Sequence, residues 1–174
     1  MTRIVGSGNP SREKDDFYAT PDYAIDALLE RETFEGEIWE PACGDGAICK
    51  RLLSCGYDNL YATDLIDRGY GAAHFDFLNS NRKTDNIITN PPFKLGTKFT
   101  LHALNLASKK VVMFNKLTFL EGKERRDRLY SLNMLECCYV FGERVGFNGG
   151  GGMLAFAWFV FNKEYNGKPR LEWI

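Results

Sequence analysis

The sequence predicts a doubly wound α/β domain with a mostly parallel, seven-stranded sheet and an antiparallel pair at one edge. Three observations point there. Short apolar runs alternate with segments of helical periodicity along most of the chain. Several of those runs stop in loops carrying an acid, a proline or a glycine, the pattern of strand ends that face a crevice. The last two runs have no helical segment between them, which predicts that they pair antiparallel.

With 174 residues, 44% hydrophobic and 14% aromatic, the chain suits one domain with one packed core, and its composition excludes general disorder. Residues 1–16 are polar and charged and read as an arm, leaving residues 17–174 as the domain. No stretch approaches about 18 uncharged apolar residues, and the N-terminus lacks an apolar signal core. Neither a membrane span nor a secretory leader is expected, and the expected compartment is the cytoplasm. A net charge of −1 and a pI near 6.1 argue against a broad basic surface while leaving room for a local basic cleft. Cys43, Cys49, Cys55, Cys137 and Cys138 form no C-x-x-C pair, and His74 and His102 are not in ligand spacing. A metal centre and a disulfide framework are therefore not expected.

The elements follow in order. Thr20 and Pro21 are placed as N-cap and first residue of a helix with the stripe Tyr23, Ala24, Ala27 and Leu28. Residues 36–40 read as a strand opening into a loop through Gly46. A second helix buries Ile48, Leu52, Leu53 and Cys55 and ends with Gly56 just past its C-terminus. Residues 59–64 form a second strand, 67–73 a loop, 74–78 a short third strand, and 86–89 a fourth. A largely apolar helix spans 97–108 and a fifth strand 110–115. Helical spacing of Leu129, Leu132 and Leu135, with Lys123, Arg125, Arg126 and Arg128 between, predicts a helix over 121–135. A sixth strand at 136–141, a glycine-rich loop at 146–152 and an aromatic seventh strand at 153–161 precede a polar tail, 162–174.

Four strand ends carry candidate chemistry. In Glu40-Pro41-Ala42-Cys43-Gly44-Asp45-Gly46 two glycines permit a tight turn into the positive end of a helix. The loop lacks the G-K-[ST] of a phosphate-binding loop, and Cys49 stands where a dinucleotide fingerprint needs its third glycine. A nucleoside-like ligand fits better than a pyrophosphate. Asp64, about 20 residues on, can accept from both hydroxyls of a ribose. Asp76 and Phe77 can meet an adenine by its amino edge and its face. Asn90-Pro91-Pro92-Phe93 closes the fourth strand: the prolines hold the backbone rigid and remove N–H donors, leaving an acceptor-rich rim beside an aromatic ring. Such a rim suits a flat ring bearing an amino group.

Together these stretches resemble the class I S-adenosylmethionine-dependent methyltransferases, and more narrowly the amino-methylating DNA methyltransferases of the adenine-N6 type. Asn90-Pro91-Pro92-Phe93 matches that family's catalytic motif and Glu40 to Gly46 its cofactor loop. Phe17-Tyr18-Ala19-Thr20-Pro21 resembles the cofactor motif that precedes the loop in the gamma-type order. The resemblance covers about Phe17 to Phe161. It implies a Rossmann-like methyltransferase domain that uses S-adenosyl-L-methionine and no metal, acting on DNA at a flipped or single-stranded adenine. Tyr18, Thr20 and Pro21 would contact the methionine end of the cofactor, and Glu40, Ala42, Gly44 and Gly46 would line its amino-acid and sulfonium region. Asp64 would hold the ribose, and Asp76 with Phe77 the adenine. Asn90 and the Pro91 carbonyl would accept from the target amino group, Pro92 would keep the turn rigid, and Phe93 would stack on the base.

The sequence departs from the family in two respects. Gamma-type enzymes carry a target-recognition region after the catalytic domain, whereas this sequence stops at Ile174. Recognition would fall to Lys94, Lys98, the basic segment 123–128 and the loop 144–152, or to a separate recognition subunit. The run Gly149 to Gly152 has no side chains with which to read bases. An RNA amino group, or a protein glutamine amide, would suit the same rim. A non-catalytic, cofactor-binding partner subunit is the remaining alternative.

Overall fold

The computed structural model describes residues 17–147, 152 and 154–174. Seven strands form one sheet in the order β2-β1-β3-β4-β6-β5-β7. They are β1 Ile38–Glu40, β2 Leu60–Ala62, β3 Asn86–Thr89, β4 Lys110–Lys116, β5 Leu135–Val140, β6 Phe156–Asn162 and β7 Arg170–Trp173. The helices are α1 Asp22–Leu29, α2 Ala47–Ser54, α3 Gly96–Leu106 and α4 Lys123–Arg128. β2, β1, β3 and β4 are parallel neighbours, β7 is parallel to β5, and β6 alone runs the other way, between β4 and β5. The α/β class, the number of strands and the antiparallel β5–β6 pair match the expectation, although one of the expected strands is replaced by β7. β6 is interior, however, and the edge belongs to β7.

The apolar patterns explain these positions. Every residue of β1 and β3 is buried, as a parallel strand covered on both faces requires. Trp39 and Ile87 face one layer, with Phe99 and Ala103 of α3; Ile38 and Ile88 face the other, with Ala24, Ile25 and Leu28 of α1 and Ile48 and Leu52 of α2. β6 buries six consecutive residues because it is paired on both sides. Gly56 does close α2: it has φ +91°, its N–H donates to the Leu53 carbonyl, and the Tyr57 N–H reaches back to Leu52. Arg51 of α2 holds Asp26 of α1 through two nitrogens, at 2.6 and 2.9 Å.

Four expectations are corrected. Residues 74–78 do not form a strand. His74 has φ +58°, Asp76 caps a 3₁₀ turn at Phe77–Asn79, and the alternating aromatics pack Phe75 and Phe77 edge-on against Trp39 instead of pairing with a strand. The helix predicted over 121–135 shrinks to α4, because a 3₁₀ turn takes over at Tyr130–Leu132, Asn133 adopts φ +55° and Leu135 enters β5. The tail is not all loop: β7 adds to β5 by main-chain bonds although its side chains are mostly exposed. Thr20 is not a helix cap either; Pro21 precedes α1 and no side chain caps it. The expected arm, 1–16, and Gly149 to Gly151 lie outside the described residues. No helix among the described residues is long and apolar enough to cross a membrane.

Candidate active site

From β1 the chain moves outward to β2, and from β3 outward to β4 on the opposite side. The strand order therefore reverses between β1 and β3, where an open α/β sheet forms its binding crevice. A cavity of about 300 Å³ opens there. Its walls come from the segment before α1, the loop after β1, the residues after β2, the Phe75–Leu78 stretch and the end of β3. That volume lies at the lower end of the range for small-molecule sites.

Of the residues singled out in the sequence, Tyr18, Thr20, Glu40, Ala42, Asp64, Asp76, Phe77, Asn90 and Pro92 line this cavity. Pro21, Gly44, Gly46, Pro91 and Phe93 do not. Gly44 and Gly46 have φ +57° and +83°, so left-handed turns demand them. A Cβ on Gly44 would meet the Phe17 ring at 2.2 Å, and one on Gly46 the Tyr70 ring at 2.4 Å. The close approach that selects glycine in this structure is thus by two aromatic side chains of the protein itself.

Glu40 ends β1 with 2% of its surface exposed. One carboxylate oxygen accepts from the Cys49 N–H at 3.1 Å, at the start of α2. Burial, helped by the nearby Asp64 and Asp45 carboxylates, pushes its pKa up to about 8. Among the described residues no basic side chain forms an ion pair with it. The cavity thus contains a carboxyl group to which a cationic ligand would be complementary. Cys43 also lines the cavity, and burial pushes its thiol up to about 12, so it is not a ready nucleophile.

Asp64 uses both oxygens inside the protein. One accepts from the Gly44 N–H at 2.8 Å and the other from the Ile66 N–H at 2.8 Å. It ties the loop after β1 to the turn after β2. Asp76 likewise accepts from the Leu78 N–H at 3.0 Å and the Asn79 amide at 2.7 Å. Phe77 is 2% exposed and sits among Trp39, Phe99 and His102, so it forms cavity floor more than an open stacking face.

The rim after β3 differs. The Asn90 side-chain nitrogen donates to the Tyr18 carbonyl at 2.8 Å and to the Thr20 hydroxyl at 3.1 Å. Among the described residues nothing donates to its oxygen. The Pro92 carbonyl accepts from the Leu95 N–H at 2.8 Å, whereas no described donor reaches the Pro91 carbonyl. Phe93 is half-buried outside the cavity lining. Tyr18 lies nearly parallel to it at 5.7 Å, Phe156 is 5.5 Å away, and the Lys116 ammonium sits 4.6 Å over its ring.

Sequence reasoning missed Phe17, Leu65, Ile66, Arg68, Leu95 and Phe99 as cavity residues. Leu65 carried a signal: an apolar residue directly after an acidic strand end, here 61% exposed. Arg68 lies over the Phe17 ring at 4.3 Å, and both residues border the cavity.

No protein-family profile matches the chain, and no curated relative does. Solved structures do. A protein provisionally assigned as a class I S-adenosylmethionine-dependent methyltransferase, from Listeria monocytogenes, superposes with a TM-score of 0.67 at 14% identity, over 97% of this chain and 68% of that one. The fold is that of the class I methyltransferases. A provisionally assigned RNA methyltransferase from Pyrococcus horikoshii gives 0.63 at 15% identity, over 92% of this chain and 90% of that one. The modification subunit of a provisionally assigned type I restriction enzyme, from Vibrio vulnificus, gives 0.62 at 13% identity, with 88% of this chain covering 45% of that one.

Proposed function

We propose that this protein is an S-adenosylmethionine-dependent methyltransferase acting on the exocyclic N6 amino group of adenine in DNA. One observation carries the reading. Asn90 borders the switch-point cavity with its amide nitrogen engaged twice and no donor at its oxygen among the described residues, and the carbonyl of the next residue, Pro91, is likewise without a donor among them. In this reading the two hydrogens of an exocyclic amine are received by the Asn90 oxygen and by the carbonyl of the next residue, Pro91.

The cavity residues fit the methyl donor. Glu40 offers a buried carboxyl to its cationic end, Asp64 and Asp76 offer carboxylate oxygens along the wall, and Phe77, Phe99 and Leu65 give apolar surface to a purine. When bound, that cofactor supplies an electrophilic methyl carbon on a cationic sulfur. The protein's own task is to make a poor nucleophile attack in line. An exocyclic amine delocalises its lone pair into the ring. Acceptors at Asn90 and Pro91 favour a more tetrahedral nitrogen and stabilise the positive charge that grows on it. Asn90 and Pro91 would hold the amine as it gains the methyl group and loses its extra proton to solvent, while the carbon–sulfur electron pair stays on the cofactor's sulfur. Holding both reactants in this line supplies much of the rate. A base within a duplex cannot enter such a cavity, so the target is flipped out or single-stranded. Phe93 with Lys116 over it provides the adjoining aromatic surface against which the ring rests.

RNA is the second reading, favoured by the similarity to the Pyrococcus structure and to a dimethyladenosine transferase from Plasmodium falciparum, with a TM-score of 0.59 at 16% identity over 85% of this chain and 64% of that one. The test is label transfer from methyl-labelled S-adenosylmethionine to DNA, RNA and protein, followed by identification of the modified atom. N6-methyladenine in DNA supports the proposal. Label confined to RNA or to protein glutamine contradicts it, as does turnover that requires an added partner subunit.

A further inference from the structure

Thr20 stands in the segment that resembles a cofactor motif and lines the cavity, and its hydroxyl is engaged with Asn90. It is 4% exposed, it does not cap α1, and it receives the Asn90 side-chain N–H at 3.1 Å. The other amide hydrogen goes to the Tyr18 carbonyl at 2.8 Å. A backbone carbonyl only accepts, so the atom facing it must be the nitrogen. Turning the Asn90 amide over would set oxygen against oxygen at the Tyr18 carbonyl, whereas the Thr20 hydroxyl can rotate to serve either orientation. The Tyr18 carbonyl, 72 positions away in sequence, therefore selects the orientation of the amide, and the Thr20 hydroxyl, 70 positions away, anchors the nitrogen in it with a second bond.

We infer that Thr20 is a positioning residue for methyl transfer: it holds the Asn90 carbonyl oxygen toward the substrate and is not primarily a ligand of the cofactor. The inference rests on the proposed amino-group methylation. A pre-set acceptor stabilises developing charge without reorganising during the reaction, and a side chain free to rotate loses that advantage. The same segment places the Phe17 ring over Gly44, so the residues that border the cofactor loop also orient the catalytic rim.

Thr20→Val keeps the shape and removes the acceptor; Thr20→Ser keeps the acceptor and removes a methyl. The measurements are kcat at saturating cofactor, cofactor affinity by calorimetry with S-adenosylhomocysteine, and the side-chain amide resonances of Asn90, assigned with Asn90→Ala. Losing one of two anchors predicts a kcat about tenfold lower in Thr20→Val, with cofactor affinity unchanged within about threefold. The Thr20→Ser variant recovers wild-type kcat, and the Asn90 amide protons shift and exchange faster only in Thr20→Val. A Thr20→Val protein that loses cofactor affinity while retaining kcat makes Thr20 a cofactor ligand and overturns the inference. If the wild-type protein methylates no amino group, the functional proposal falls, and the amide resonances alone decide the orientation. Unchanged Asn90 amide signals in Thr20→Val overturn the inference in that case too.

Discussion

The ends of β2 and β3 border the same cavity and treat their polar side chains in opposite ways. After β2, Asp64 uses both carboxylate oxygens on backbone N–H groups of Gly44 and Ile66. After β3, Asn90 uses its nitrogen internally, and among the described residues nothing donates to its oxygen. A group that holds the walls together is one whose acceptors are satisfied before a ligand arrives. A group set for chemistry keeps an acceptor in reserve, because its partner is the substrate. Asp64 can still share a lone pair with a ribose, but its loss would be felt as affinity and stability. The loss of Asn90 would be felt as rate.

Asn90→Ala should test that contrast most severely. Removing one pre-organised polar group from a charge-developing site costs about 10²–10³ in kcat. Cofactor affinity should stay within about threefold, because Asn90 bears on the target amino group. Steady-state kinetics with calorimetry would check this, and a parallel loss of affinity would merge the two strand ends into one role.

Asp64→Ala should show the reverse pattern. Two backbone N–H groups lose a charged acceptor, so cofactor affinity should fall about ten- to a hundredfold and Tm should drop, with kcat at saturating cofactor little changed. An unchanged Kd would remove Asp64 from the binding wall.

Glu40 sharpens the comparison through pH. Its folded pKa near 8 lies above the ordinary value of 4.5, so the native state keeps a proton that the unfolded chain has lost between those values. Stability therefore falls as pH rises from about 4.5 to 8. A cationic cofactor favours the ionised carboxylate, so its affinity should rise with pH up to about 8 and then level, by at most about tenfold per unit. In Glu40→Gln both slopes should vanish. Calorimetric titrations and thermal melts across this range would show it, and a persisting slope would place the titrating group elsewhere.

The smallest effect is expected at Lys116. Lys116→Met removes the cation over Phe93 while keeping its apolar stem. The KM for DNA should rise a few-fold, with a shallower dependence on salt, and cofactor affinity should not move. An unaltered salt slope would show that Lys116 does not face the nucleic acid.

The half of the fold that carries the site was readable because burial and chemistry coincide there. Asn86 to Thr89 are all buried and run directly into two prolines, and Ile38 to Glu40 run directly into Gly44 and Gly46. Pattern and punctuation gave one answer. The other half was less readable for physical reasons. β7 is held by main-chain bonds on an edge, so Arg170-Leu171-Glu172-Trp173 has no buried face to pattern. Residues 74–78 alternate like a strand because two aromatics alternate onto Trp39, and a cap at Asp76 outweighs pairing. The spacing of Leu129, Leu132 and Leu135 fits a helix, but Leu135 is used by the sheet. Within the site, the residue types were legible and their partners were not. Nothing local to Thr20 distinguishes a helix cap from a hydroxyl that meets Asn90 across 70 positions.

The central claim is that the free acceptors after β3 receive an adenine amino group. The direct measurement is methyl transfer to single-stranded DNA by the wild-type protein and by Asn90→Ala, with the modified nucleoside identified by mass spectrometry. The account predicts N6-methyladenine from the wild-type protein and its near absence from a variant that still binds S-adenosylmethionine. Equal methylation by both proteins, or methyl groups found only on another atom, would contradict it.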